Sequence, residues 1–289
     1  METDLIFHHG VDLPHFAAFP LLENAQGRAL LEDYYDGYAA IGRRAGTGLM
    51  LESPTWRANP DWGDRLGYSA SLLAKANRSA IAMLAQLRER YAQTIAAVIV
   101  SGMVGPRGDG YRPDTALEPD AAAAYHRPQL EAFADAEADM VTAYTLTDVG
   151  EAIGIVQAAR DVGLAVAISF TVETDGQLRG GIPLAQAIAA VDHAGGPEYF
   201  LVNCAHPTHI ELALRQPGVW RERIVGIRAN ASTKSHAELD GATELDEGDP
   251  RSLAAAHHRL NLGLPKLSII GGCCGTDKRH VASLWNVGQ

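Results

Sequence analysis

Short, unbroken apolar runs alternate with helical patterns along almost the whole 289-residue chain, and no other feature limits its possible folds so tightly. The runs are Thr47–Ser53, Ile95–Gly102, Met140–Thr145, Ala165–Phe170, Tyr199–Cys204, Ile224–Arg228 and Leu267–Gly271. They are continuously hydrophobic rather than strictly alternating, as parallel strands covered on both faces must be. Amphipathic or Ala-rich stretches separate them: Ser69–Ala92, Asp120–Ala138, Asp148–Asp161, Pro183–Ala194, Pro207–Arg215 and Arg251–Leu262. A helix over Gly27–Arg44 precedes the first run, and one over Asp277–Trp285 follows the last. Asp148, with Glu151 three residues on, predicts a helix start, and Gly163 its stop.

Repeated βα units with no low-complexity linker imply one α/β domain over residues 1–289. Seven strands are countable, one short of a (β/α)8 TIM-type barrel; an open doubly wound sheet is the alternative. The distinctive residues Ser53, Gly102, Tyr144, Asn203-Cys204 and Gly271–Cys274 all fall at strand C-termini and are spread over several strands. A barrel gathers such ends into one ring, where its active sites lie, whereas an open sheet gathers its ligand at one switch point. The expectation is therefore the barrel.

Composition narrows the setting. A net charge of −11 excludes a nucleic-acid partner or an anionic membrane surface, which need clustered Lys and Arg. No apolar run approaches the ~20 residues of a membrane span. Met1-Glu2-Thr3-Asp4 lacks the basic start and apolar stretch of a secretory signal. Three cysteines, an odd number, suggest a reducing compartment with free or metal-bound thiols, so cytoplasm is expected.

Those three cysteines carry the chemistry. Cys204 closes one apolar run, and Cys273-Cys274 follow another within Gly271-Gly272-Cys273-Cys274-Gly275-Thr276. Three thiolates arriving from strand ends make a nearly complete zinc site, and an open fourth position is the catalytic arrangement. Gly271-Gly272 suits a backbone that must turn so that two adjacent thiolates face one ion. Coordination deprotonates an incoming thiol, whose free pKa is ~8.5. Three protein thiolates leave the site negative, so a fourth sulfur stays nucleophilic. Such a site suits in-line alkyl transfer to a thiol. A sulfonium donor would release a neutral leaving group, so no general acid is required.

Each feature has a plainer reading. Cys204 alone reads as a small buried hydrophobe, and Cys273-Cys274 alone as packing or a redox pair. His206 and His209 could complete a Cys/His set, but Pro207 and Glu211 mark a helix start with exposed imidazoles. His8-His9 and His257-His258 read as solvated helix residues. Gly102–Gly108 lacks the Gly-Lys-Ser/Thr ending of a phosphate loop and reads as a loop shaping a pocket. Trp56-Arg57 either lines that pocket or is simply a packed loop pair.

Together these motifs resemble the homocysteine S-methyltransferase family, whose members draw methyl groups from S-methylmethionine, S-adenosylmethionine or betaine. Asn203-Cys204 matches the Asn-Cys ending the sixth barrel strand, and Gly271–Thr276 the Gly-Gly-Cys-Cys motif ending the eighth. Ser53-Pro54-Thr55-Trp56-Arg57-Ala58 resembles Thr-x-Thr-Phe-x-Ala after strand two. Gly102-Met103-Val104-Gly105-Pro106 resembles the Gly-Ser-Ile-Gly-Pro loop after strand three. The resemblance implies an enzyme with a (β/α)8 barrel and Zn2+ held by Cys204, Cys273 and Cys274. It also implies a methyl donor and a homocysteine acceptor. Ser53, Tyr144 and Asn203 fall on its substrate-binding side, Ser53 where a Thr contacts the amino acid.

Two departures qualify the match. Met1-Glu2-Thr3-Asp4-Leu5 matches only the end of the family's opening Asp-Gly-Gly-Met-x-Thr-x-Leu, so the chain reads as starting after strand one. Tyr144-Thr145-Leu146-Thr147 stands where the family has Glu-Thr-(Ile/Leu)-Pro, whose Glu meets the substrate ammonium; Tyr144 supplies no charge. The alternatives are a non-catalytic zinc-binding barrel, a methyltransferase for another small thiol and, without any C-x-x-C, a less favoured redox protein. An oligomer stays open.

Overall fold

A computed structural model describes residues 1–109 and 117–288. Each expected apolar run forms a strand: β1 (Leu49–Glu52), β2 (Val98–Val104), β3 (Met140–Leu146), β4 (Ala165–Phe170), β7 (Tyr199–Asn203), β8 (Ile224–Ala229) and β9 (Ile269–Gly272). They pair in parallel in the order β1-β2-β3-β4-β7-β8-β9. Two short strands that the sequence reading missed, β5 (Gln177–Leu178) and β6 (Ile182–Pro183), form a separate antiparallel pair ahead of the helix Leu184–His193.

The helices follow from local chemistry. Asn24 accepts from the Gly27 amide to start Ala25–Ala45, which ends on Gly46 at φ 64°. Ser69 starts Ala70–Tyr91, and Asp148 starts Val149–Asp161 by accepting from the Glu151 amide at 2.7 Å. Such side chains satisfy amide groups that have no partner inside the helix. Gly163, at φ 76°, ends that turn as expected.

Strand side chains alternate between two faces. On β3, Val141 and Ala143 point outward into the large core shared with the helices, as do Phe200 and Val202 on β7. Met140 and Tyr144 point inward, where they pack with Ala167, Leu201 and the partly buried Met50, Met103 and Tyr199. Filling a lumen with side chains is how a parallel barrel is packed.

The described residues form the seven strands counted in the sequence, and these do not close into a ring. The sheet is a curled seven-stranded parallel half-barrel, in which β1 pairs only with β2 and β9 only with β8. Leu49–Glu52 of β1 and Ile269–Gly272 of β9 both line one cavity of about 440 Å³. Met1 and Tyr34, Tyr35 and Tyr38 of the first long helix form part of its wall. The opening residues, matched above to the end of a family motif, form the helix Glu2–Phe7.

Candidate metal and acceptor site

Parallel strands in one sheet bring their C-terminal ends to one rim, and three cysteines converge there. Cys204 follows β7, while Cys273 and Cys274 follow β9. The sulfur of Cys204 lies 3.2 Å from that of Cys273 and 3.6 Å from that of Cys274. None of the three cysteines is in a disulfide, and all three sulfurs lie within 4.8 Å of one another. Tetrahedral bonds of ~2.3 Å would set sulfurs about 3.8 Å apart. The donor set therefore fits a soft metal ion, with room for a fourth ligand.

The backbone is bent to make this cluster. Cys204 has φ 57°, a conformation that non-glycine residues rarely adopt. Asn230, just beyond β8, holds it there: its Nδ2 donates to the Cys204 carbonyl at 2.9 Å, and its Oδ1 accepts from the Cys274 amide at 3.1 Å. His236 Nε2 also donates to the Cys204 carbonyl, at 2.6 Å, and its Nδ1 lies 3.2 Å from Glu173 Oε1. On the other side Thr276 Oγ1 donates to the Cys273 carbonyl at 2.7 Å. A Cβ on Gly272 would fall 2.1 Å from that Thr276 oxygen, so only glycine fits. Gly275, at φ 76°, completes the turn.

Charge is distributed unevenly over the three sulfurs. The neighbouring thiols and then the Arg228 guanidinium draw Cys273 well below the usual thiol range, against the effect of burial. Cys204, hydrogen-bonded to both other sulfurs and buried, is pushed well up.

The residues expected on the substrate side occupy different situations. Ser53 is fully buried; its Oγ accepts from the Met103 amide at 2.8 Å and lies 2.6 Å from Thr55 Oγ1. Thr55 in turn donates to the Met103 carbonyl, so this hydroxyl pair ties the loop after β1 to β2. Asn203 is also engaged: its Oδ1 accepts from the Thr145 amide and from Ser169 Oγ, and its Nδ2 donates to Thr145 Oγ1. The same Nδ2 lies 3.8 Å from the Cys273 sulfur. Tyr144 alone of the three lines the 440 Å³ cavity, together with Cys273.

Residues weighed and set aside also find places. His206 caps the helix Pro207–Ala213 as expected, but it is buried rather than exposed, and burial holds it down to about 4. Neither His206 nor His209 joins the sulfur cluster. His257 is likewise buried, not solvated, because it continues the Leu253, Ala256 and Leu260 face of its helix. Trp56 packs in the lumen, and its indole N–H points to the Tyr144 carbonyl at 3.4 Å. Arg57 stacks between Trp56 and Trp62, 4.2 and 3.7 Å from their ring centroids. In the Gly102–Gly108 segment Gly105 packs against Trp56, and Met103 lines the cavity. Asn230, His236 and Glu52 were not singled out from the sequence.

The homocysteine S-methyltransferase family profile matches residues 1–287. The chain belongs to that family. It is 28% identical over 228 residues to a homocysteine S-methyltransferase of Escherichia coli K12, covering 76% of this chain and 69% of that protein. It is 24% identical over 193 residues to the homocysteine S-methyltransferase YbgG of Bacillus subtilis 168, spanning 60% of that relative's length. Among solved structures it is similar to the homocysteine methyltransferase MmuM of Escherichia coli. The metallated form superposes with TM-score 0.74 and the oxidized form with 0.76, each at 22% identity. Those alignments cover 96% and 98% of this chain and 91% and 92% of theirs, so the fold is shared almost throughout.

Proposed function

We propose that the chain is a zinc-dependent S-methyltransferase that transfers a methyl group from a sulfonium donor, S-methylmethionine or S-adenosylmethionine, to homocysteine, giving methionine. The observation carrying this reading is the convergence of three sulfurs within 4.8 Å at the rim of a parallel sheet, beside a cavity of about 440 Å³. Cys204, Cys273 and Cys274 would hold the zinc ion. When bound, zinc lowers the pKa of a coordinated thiol so that it is a thiolate at neutral pH.

The protein's own groups do the rest. Asn230 and His236 fix the Cys204 carbonyl, and Thr276 fixes that of Cys273, so the sulfurs are placed before any ligand arrives. Such outer partners orient ligands and tune a metal site. Asn203 and Ser53, both saturated by protein partners, position β3, β7 and the loop after β1 around the acceptor. The half-enclosed lumen lets attacking and departing sulfur line up away from bulk water, which favours displacement. Among the described residues no helix is long and apolar enough to cross a membrane. Three cysteines outside any disulfide suit a reducing compartment, and we place the protein in the cytoplasm.

Metal analysis of the purified protein, coupled to methionine formation from homocysteine and S-methylmethionine or S-adenosylmethionine, tests the proposal. One zinc per chain and methionine formation that Cys273→Ser abolishes are expected. A metal-free protein, or a Cys273→Ser variant with full activity, contradicts it.

A further inference from the structure

The inward face of the sheet is apolar through Met140, Ala167 and Leu201, but it turns charged at the rim. Glu52, the last residue of β1, is 9% exposed. The Tyr144 hydroxyl donates to its Oε1 at 2.8 Å, while its buried Oε2 has no hydrogen-bond partner. Arg228, from β8, lies on the other side of Tyr144, its guanidinium carbon 4.7 Å from the ring centroid. Its Nε donates to the Gly272 carbonyl at 3.2 Å, next to Cys273. Among the described residues no carboxylate comes within ion-pairing distance of Arg228. The carboxylate and the guanidinium therefore face one cavity without a direct bond between them, with Tyr144 interposed and Cys273 on the same wall.

A buried carboxylate with an unpaired oxygen costs several kcal/mol of lost hydration unless something completes it. Burial pushes the Glu52 carboxyl up, and Arg228 and the hydroxyls of Tyr144, Ser101 and Thr142 oppose that, but the Oε2 atom itself has no hydrogen-bond partner among the described residues. Glu52 asks for a cationic donor, Arg228 for an anionic acceptor, and both line the cavity that Cys273 also lines. We propose that Glu52 and Arg228 form the recognition site for the zwitterionic head of the acceptor amino acid, Glu52 taking its ammonium and Arg228 its carboxylate. Tyr144, neutral because burial pushes its phenol well above the ordinary range, spaces the two charges and orients Glu52. This assignment rests on the methyl-transfer reading for the acceptor's identity. It makes an α-amino acid thiol, rather than a simple thiol, the substrate class.

Calorimetry on the purified holoprotein can examine head recognition without the thiol. The probes are methionine, 4-(methylthio)butanoate, which lacks the ammonium, and 3-(methylthio)propylamine, which lacks the carboxylate. A charge-assisted contact contributes roughly tenfold to a hundredfold in affinity, so wild type should prefer methionine over both others by at least that. Glu52→Gln, which keeps the side chain's shape, should weaken methionine by the same factor and leave 4-(methylthio)butanoate unchanged. Arg228→Met should weaken methionine but spare the amine. Equal wild-type affinities for the three probes, or variants that weaken all three alike, would overturn the proposal, the latter marking a merely structural pair. A separate assay compares methyl transfer to homocysteine and to 4-mercaptobutanoate. If both are methylated equally well, the head site is refuted and the methyl-transfer reading stands. If neither is methylated but methionine discrimination survives, the methyl-transfer reading fails and the head site stands.

Discussion

The two halves of the site are built on opposite principles. Around Cys204, Cys273 and Cys274 nearly every backbone group near the sulfurs is tied down: Asn230 bridges two strands' loops, His236 and Thr276 hold the carbonyls, and Gly272 leaves no space for a side chain. Around Glu52 and Arg228 the reverse holds. A buried carboxylate oxygen goes unpaired and a guanidinium faces a cavity. A metal site must hold geometry against loss of its ion, so it is over-determined. The proposed head site instead leaves one buried carboxylate oxygen for its ligand to satisfy, at a cost in stability. The contrast makes separate predictions for the two halves.

The largest effect should come from the sulfurs. Cys274→Ser should lower zinc affinity by more than a hundredfold, since it removes a ligand outright, while Glu52→Gln should leave zinc content at one per chain. Chelator titration with a metal dye checks both, and equal loss in the two variants would dissolve the distinction. Next comes the clamp. Asn230→Ala should cost ~10–100-fold in zinc affinity, the usual effect of removing an outer partner. Asn230→Asp keeps the acceptor for the Cys274 amide but loses the donor to Cys204, and should fall between wild type and Ala.

Stability should separate the halves in sign. Asn230→Ala exposes no charge yet removes the acceptor of the Cys274 amide and one of the two donors to the Cys204 carbonyl, costing about 1–3 kcal/mol. Glu52→Gln removes a buried, partly unpaired carboxylate, so thermal melting of the ligand-free protein should be unchanged or raised. A lower melting temperature for Glu52→Gln would mean that the carboxylate is a structural group.

The scaffold shared by both halves gives a pH-dependent control. Burial holds His257 down to about 4, and its Nε2 has no partner. The folded state thus binds this proton less readily than the unfolded chain, where the pKa is ~6.5. Stability should be complete above that value and fall as pH drops from there through 4, by up to about 3 kcal/mol. His257→Leu should reduce this slope without moving zinc affinity, leaving the shares due to other groups that burial holds down, such as His206 and His209. The smallest effect should come from Asp277, which accepts from the Arg279 and His280 amides to start the helix after the cysteine turn. Asp277→Ala should cost ~1 kcal/mol in denaturant unfolding.

All seven parallel strands were legible because each reads as a continuous apolar run, even β9, whose residues are only half-buried. The two-residue strands β5 and β6 were not, since their pairing depends on a local turn rather than on hydrophobic pattern. The helices Glu2–Phe7 and Pro60–Arg65 were also missed, being too short to show a 3.6-residue period. The three cysteines announced the sulfur cluster, as cysteine is rare and their placement at strand ends is distinctive. Asn230 and His236 gave no such signal, because the chain distance between Asn230 and Cys274 hides a contact that only adjacent strands create. Glu52 was hidden in the run Leu49–Glu52, where its inward direction follows from the strand alternation once Met50 is known to face the lumen. His257 misled for a related reason: as a polar residue it read as solvated, although it sits at the same helical spacing as Leu253 and Leu260.

X-ray absorption at the zinc edge, recorded with and without homocysteine, addresses the central claim directly. The account predicts three sulfur neighbours at ~2.3 Å and one lighter ligand in the free protein, changing to four sulfurs when homocysteine is added. A first shell with fewer than three sulfurs, or one that homocysteine leaves unchanged, would contradict it.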